Sequence, residues 1–331
     1  KYHSAMVPHA GEDSAVFRGV TELGATLAEL APVAGSVREP AAVAVLFDWE
    51  SWWAGEQDSH PTSRLDYRQE ALDWYSALLA LGIRADVITT DADLAPYRLL
   101  VAPVLHVVPG DLADRLARYA EGGGHLVTTY FSGVVDENDH VWLGGYPGAL
   151  RELLGVRVEE FGPLLDGDAV AVDGDALSLD GDLTGTLWAD RVDVVDPAVE
   201  VLAEYRSGEH AGRPVVTRRR AGSGTAAYVG TRLGAEGLAG LLPRLLDAAE
   251  VRSELPAAAR GRVELTVRRT EDHRYLFLVN RTDEAVTVTG LVGDVLIGAH
   301  EDVLTGTRED VPQSHLTLPP RGVAVLREPA P

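Results

Sequence analysis

The chain has 331 residues, 46% of them hydrophobic, with 51 acidic against 29 basic side chains and a formal charge of −22. This is enough apolar chain for two or three cored domains, and the acidity would repel phosphate backbones, which argues against nucleic acid as a partner. The absence of cysteine excludes disulfides, thiolate metal sites and a cysteine nucleophile, and no apolar run reaches the roughly 18 residues that predict a membrane span.

The first residues, "KYHSAMVPHAG", carry no methionine at position 1 and no basic stretch followed by an apolar core, and they read as the interior of a longer chain. His3 and His9 fall in this loop, where an isolated histidine is ordinarily structural. Residues 12–31 then place Val16, Val20, Leu23, Leu27 and Leu30 at spacings of four and three, one apolar stripe on a helix. Glu12 and Asp13 suit its positive N-terminal end, and Pro32 and Gly35 stop it. A helix with a single stripe needs a covering surface, and the rest of this chain need not supply it.

"SVREPAA" (36–42) has the composition of a linker. "VAVLFD" (43–48) is a continuous apolar run, which predicts a strand covered on both faces. The next segment, "FDWESWWAGE" (47–56), reads as the loop after that first strand, where open α/β sheets present their functional loops. It gathers Asp48, Trp49, Glu50, Trp52 and Trp53. Such aromatics either form an interface or pocket rim, stacking on a sugar face or a partner, or simply fill core. A helix carrying Leu65, Leu72, Tyr75 and Leu79 follows, then buried strands "ADVIT" (85–89), "RLLVAP" (98–103) and "HLVTTY" (125–130). Between the last two lies a helix with Leu112, Leu116 and Tyr119, ended by the glycines of "EGGG". Strand, helix, strand, strand, helix, strand predicts a doubly wound α/β domain.

From 155 to 233 the strands become short and turn-rich. The acids of "DGDAVAVDGDALSLDGD" (166–182) recur as separate Asp-Gly turns and lack the alternation of a calcium loop. "GSGTAA" (222–227) matches a dinucleotide pattern, but a strand follows where a helix would have to cap the pyrophosphate, so a tight hairpin is expected. A helix through Leu238, Leu241, Leu242 and Leu245 closes the domain, with Pro243 leaving its boundary open. After a second linker, "SELPAAARG", six strand patterns from 261 onward predict a small antiparallel β-sandwich. The doubly wound pattern invites comparison with class I glutamine amidotransferases. Their chemistry needs a cysteine at a strand-to-helix elbow, and the serine alternative G-x-S-x-G does not occur. An amidotransferase-like shape without the chemistry is expected.

Several stretches together resemble the glycoside hydrolase family 42 β-galactosidases: "KYHSAMVPHAG" (1–11), "DENDHVWLGGYPGALRELLGVRVEEF" (136–161), "GSGTAAYVGTRL" (222–233), "YLFLVNRT" (275–282) and "LPPRGVAVL" (318–326). They occur in the family's order and span nearly the whole chain, the 136–161 match being the most specific. The resemblance implies three parts. Residues 1–37 would be the end of an N-terminal (β/α)8 barrel, 38–252 an amidotransferase-like trimerisation domain, and 258–331 a C-terminal β domain. The family is retaining, with an acid and a nucleophile Glu about 5–5.5 Å apart. Both would lie upstream of Lys1, so this chain alone is expected to be inactive. His3 matches the family's galactose-binding histidine, a role that requires the barrel. The resemblance further implies a homotrimer, a galactoside substrate for the intact enzyme, no cofactor, no metal in this region, no membrane partner and a cytoplasmic location. The rival expectation is a free-standing amidotransferase-like binding module, which would bury the 12–31 stripe internally.

Overall fold

In the computed structural model, which describes residues 6–179, 181–298 and 314–330, Pro40–Ser253 form one unit, and the residues up to Glu39 join those from Glu254 onward in another. His3 lies outside the described residues.

The Pro40–Ser253 unit is built on a seven-stranded sheet. Its order is Val199–Glu204, Pro214–Ala221, Gly224–Val229, His125–Thr129, Leu99–Ala102, Val43–Leu46, Ala85–Ile88. The last five strands run parallel, Pro214–Ala221 runs against them, and Val199–Glu204 pairs antiparallel with Pro214–Ala221. Val43–Leu46 and Leu99–Ala102 are buried at every position, as continuous apolar runs require when helices cover both faces. The 85–89 segment departs from its expected burial. Ala85–Ile88 is the sheet edge, with Val87 56% exposed. Its inward Asp86 accepts hydrogen bonds from the Ala41 N–H and the Tyr97 hydroxyl.

Tyr67–Ala80 is the helix expected after the first strand, but its buried face is Tyr67, Glu70, Ala71, Trp74 and Leu78. Leu72 is exposed. The leucine spacing pointed one step around the helix because a buried carboxylate looks like a polar-face residue in sequence. Gly110–Glu121 buries Leu112, Ala113, Leu116 and Ala120 as its stripe demands, and a Cβ on Gly124 would lie 2.3 Å from the Tyr119 ring. Pro214–Ala221 and Gly224–Val229 pair as the hairpin expected at 222–227. Gly234–Ala248 runs as one helix through an outward-facing Pro243. The Asp-rich stretch yields a strand absent from the sequence reading: Asp182–Ala189 pairs antiparallel with Ala169–Asp173.

The second unit has a five-stranded sheet and a two-stranded one that share a single core including Val263, Leu278, Val288, Leu318 and Leu326. Strands 263–269, 273–280 and 323–329 pair antiparallel, and Val286–Leu291 pairs with Ser314–Leu318. The presumed linker 36–42 is partly strand, since Val37 and Arg38 pair with Arg269 and Arg268 as a short edge. Arg274 ties this region to the sheet through Glu39, Glu254 and Glu328. Helix Ala15–Glu29, N-capped by Ser14, buries none of its residues.

Candidate functional site

In a doubly wound sheet the chemistry belongs at the carboxyl ends of the parallel strands, beside the strand where the order reverses. Here that place lies between Val43–Leu46 and Leu99–Ala102.

The segment after Val43–Leu46 is a short helix, Trp49–Gly55, which corrects the expected loop. Asp48 starts it: its carboxylate accepts the Ser51 N–H at 2.8 Å, while its own N–H donates to the Tyr67 hydroxyl oxygen at 2.8 Å. Burial raises the Tyr67 phenol well above its ordinary value, so it stays neutral. Buried Ser51 anchors the helix by accepting the Val107 N–H. With Ser51 and Gly55 inward, the helix divides its tryptophans. Trp52 packs edge-on to Phe47 and against the aromatic core. Trp49 and Trp53 are 50% and 65% exposed, with centroids 6.1 Å apart. Glu50 is exposed beside them. Trp52 thus serves the core, while Trp49 and Trp53 meet solvent on another face of the same turn.

The segment after Leu99–Ala102 is where an amidotransferase would hold its nucleophile. The chain does make an elbow there. Val104 has φ 47°, in the left-handed region that a β-branched residue avoids, and it is fully buried. The N–H groups that could serve an oxyanion are occupied, Val104 by the Thr129 hydroxyl and Leu105 by the Ser132 hydroxyl. Two residues on, His106 is buried against Phe131 and His60, at ring distances of 4.5 and 5.1 Å. Neither of its ring nitrogens has a hydrogen-bond partner. Burial, and then the neighbouring His60, push its pKa down to about 3, so it is a neutral packing ring. The turn after this strand therefore places a buried valine at its left-handed position.

Two buried carboxylates were not singled out in the sequence. Glu70 pairs with Arg232 at 2.8 Å, and Arg232 also reaches Asp73. Desolvation raises Glu70 to about 7, against the pull of Arg232. Asp190 accepts from the Trp188 indole and the Tyr228 hydroxyl, each at 2.6 Å. Burial raises it to about 7, and those neutral donors only partly offset the cost. Neither acid has a second carboxylate placed across an open sugar-sized pocket, as glycoside cleavage requires. Among the described residues no cluster could hold a metal ion, and no helix is long and apolar enough to cross a membrane.

An open doubly wound α/β unit followed by a small antiparallel β domain is the class of fold that the structure defines. Residues 41–252 match the family described as the Beta-galactosidase trimerisation domain, and residues 262–328 match the Beta-galactosidase C-terminal domain. Beta-galactosidase BbgII of Bifidobacterium bifidum is 40% identical over 338 residues, covering 99% of this chain and 46% of that protein. A Beta-galactosidase of an Arthrobacter species is 41% identical over 310 residues, covering 93% and 42%. The crystal structure of the β-galactosidase from Bacillus circulans sp. alkalophilus superposes with a TM-score of 0.86 at 36% identity, covering 99% of this chain and 47% of that one. The chain belongs to the glycoside hydrolase family 42 β-galactosidases, of which it carries the trimerisation and C-terminal domains. It spans about half the length of the relatives it matches.

Proposed function

We propose that this chain is the assembly half of a retaining β-galactosidase that hydrolyses terminal β-D-galactosides as a cytoplasmic homotrimer. The acid and nucleophile belong to a preceding barrel of the same protein. The observation that carries this reading is the helix Ala15–Glu29. Its stripe residues Val16, Leu23 and Leu27 are 54%, 57% and 58% exposed, and none of its residues is buried. A free-standing module would not leave this much ordered apolar surface in water. In this proposal residues 1–37 complete the barrel, 38–252 drive trimer formation, and 258–331 form the C-terminal β domain. His3 contacts galactose once the barrel is present. Of Trp49, Glu50, Trp52 and Trp53, the outward Trp49, Glu50 and Trp53 form a neighbouring rim or subunit contact, and Trp52 supports them from the core. Neither an organic cofactor nor nucleic acid is needed.

Turnover of nitrophenyl β-galactoside tests the division of labour. The 331-residue chain is expected to give only background rates, because in this reading the acid and the nucleophile lie in the preceding barrel. A chain extended upstream through the barrel is expected to be active and to lose kcat/KM on His3→Ala. Robust activity of residues 1–331, abolished by mutating one of their own carboxylates, would refute the proposal.

A further inference from the structure

The opposite edge of the α/β unit, at the amino ends of the parallel strands, holds two clefts of about 730 and 550 Å³ that share Arg98 and Gly123. Arg218 and Arg220 line the first, together with His125 and Thr225. Arg115 and Arg118 line the second. Five guanidinium groups thus face three lining carboxylates, Asp93, Glu200 and Glu250. On a chain with a formal charge of −22, this is a local excess of positive charge, and a recess with such an excess attracts anions.

The partners of these arginines show which forks are open. Arg218 places two N–H groups on one Glu200 oxygen. Arg115 is used on the carbonyls of Thr90 and Ala92. Arg98 donates to the Glu250 carbonyl, just past the helix Gly234–Ala248. Arg118 and Arg220 are exposed, and neither side chain meets an acceptor among the described residues. Attraction to helix carboxyl ends accounts for Arg118, in the last turn of its helix. It does not account for Arg218 and Arg220, which sit on a strand. Guanidinium forks arriving from a helix, a strand and a strand-entry loop suit an anion with several oxygens in different directions, which a phosphoryl group provides.

We propose that the joined clefts bind a phosphate-bearing small molecule, with Arg98 between two open forks, Arg118 and Arg220. Titration calorimetry on the 331-residue chain at constant ionic strength, set with chloride, tests it with two probes, inorganic phosphate and a hexose 6-phosphate. One saturable site is expected, weakened about tenfold by Arg220→Ala and again by Arg98→Ala, as the loss of a charge-assisted fork implies. Far-UV circular dichroism of both variants should match the parent. Tighter binding of the hexose phosphate assigns an organic phosphate, and equal binding assigns the free anion. No saturable heat beyond the chloride control, or unchanged binding in both folded variants, would overturn the site.

Discussion

Asp190 shows what a single buried group does to the whole chain. Its carboxylate is raised to about 7 in the folded state, against about 3.9 when unfolded. Between those values the native state holds the extra proton, so stability falls as pH rises from about 4 to about 7. The cost of the buried charge is complete above that. The slope from this one group cannot exceed about 1.4 kcal/mol per pH unit. Asp190→Asn removes it: urea unfolding between pH 5 and 8 should show a gentler pH dependence in the variant, and parallel curves would exclude this assignment. Glu70 shares the direction but has Arg232 beside it, so its contribution cannot be separated by one substitution. Neither acid was legible in the sequence. Among 51 acidic residues, nothing local distinguishes these two.

The tryptophan segment is the informative element. As sequence it follows a buried strand, and it reads as a loop because seven residues show no helical period. In the structure Asp48 caps it, Ser51 ties it to Val107 across 56 positions, and a Cβ on Gly55 would lie 3.8 Å from the His106 side chain. Asp48→Ala should cost about 1 kcal/mol through the lost cap. It should also shift tryptophan emission, because Trp52 leaves the Phe47 ring as the turn loosens. Chemical denaturation with fluorescence reads both, and an unchanged spectrum with unchanged stability would mean that packing alone holds the helix. The elbow at Val104 was equally out of reach. No pattern of residue types announces a left-handed valine, which is held by the Thr129 hydroxyl and complete burial.

On the scale of the molecule, Ala15–Glu29 leaves its apolar stripe exposed. Leu23→Gln with Leu27→Gln should leave the 331-residue chain within about 0.5 kcal/mol of the parent, since both side chains already meet water. In a chain extended through the barrel, the same pair should lower the melting temperature and the yield. Equal tolerance in both contexts would remove the barrel as the partner of this helix. Light scattering on the extended protein should give a trimer mass, and a monomer would leave the family's trimerisation domain without its role here.

Composition and periodicity by themselves determined the doubly wound domain, the antiparallel domain after it, the hairpin at 222–227 and the absence of cysteine chemistry. These are local signals: runs of buried apolar residues, spacings of two or of three and four, glycine and proline at turns. The family likeness was equally readable, because "DENDHVWLGGYPG" and its companions are contiguous strings. What only the tertiary structure decided depends on residues far apart in the chain. The sheet edge at Ala85–Ile88, the Val37–Arg38 strand against residues 268 and 269, and the Glu70–Arg232 pair all arise from closure over long separations. So does the gathering of Arg98, Arg118 and Arg220. Arginines spaced along more than a hundred residues carry no joint meaning until parallel strands bring their amino ends to one edge.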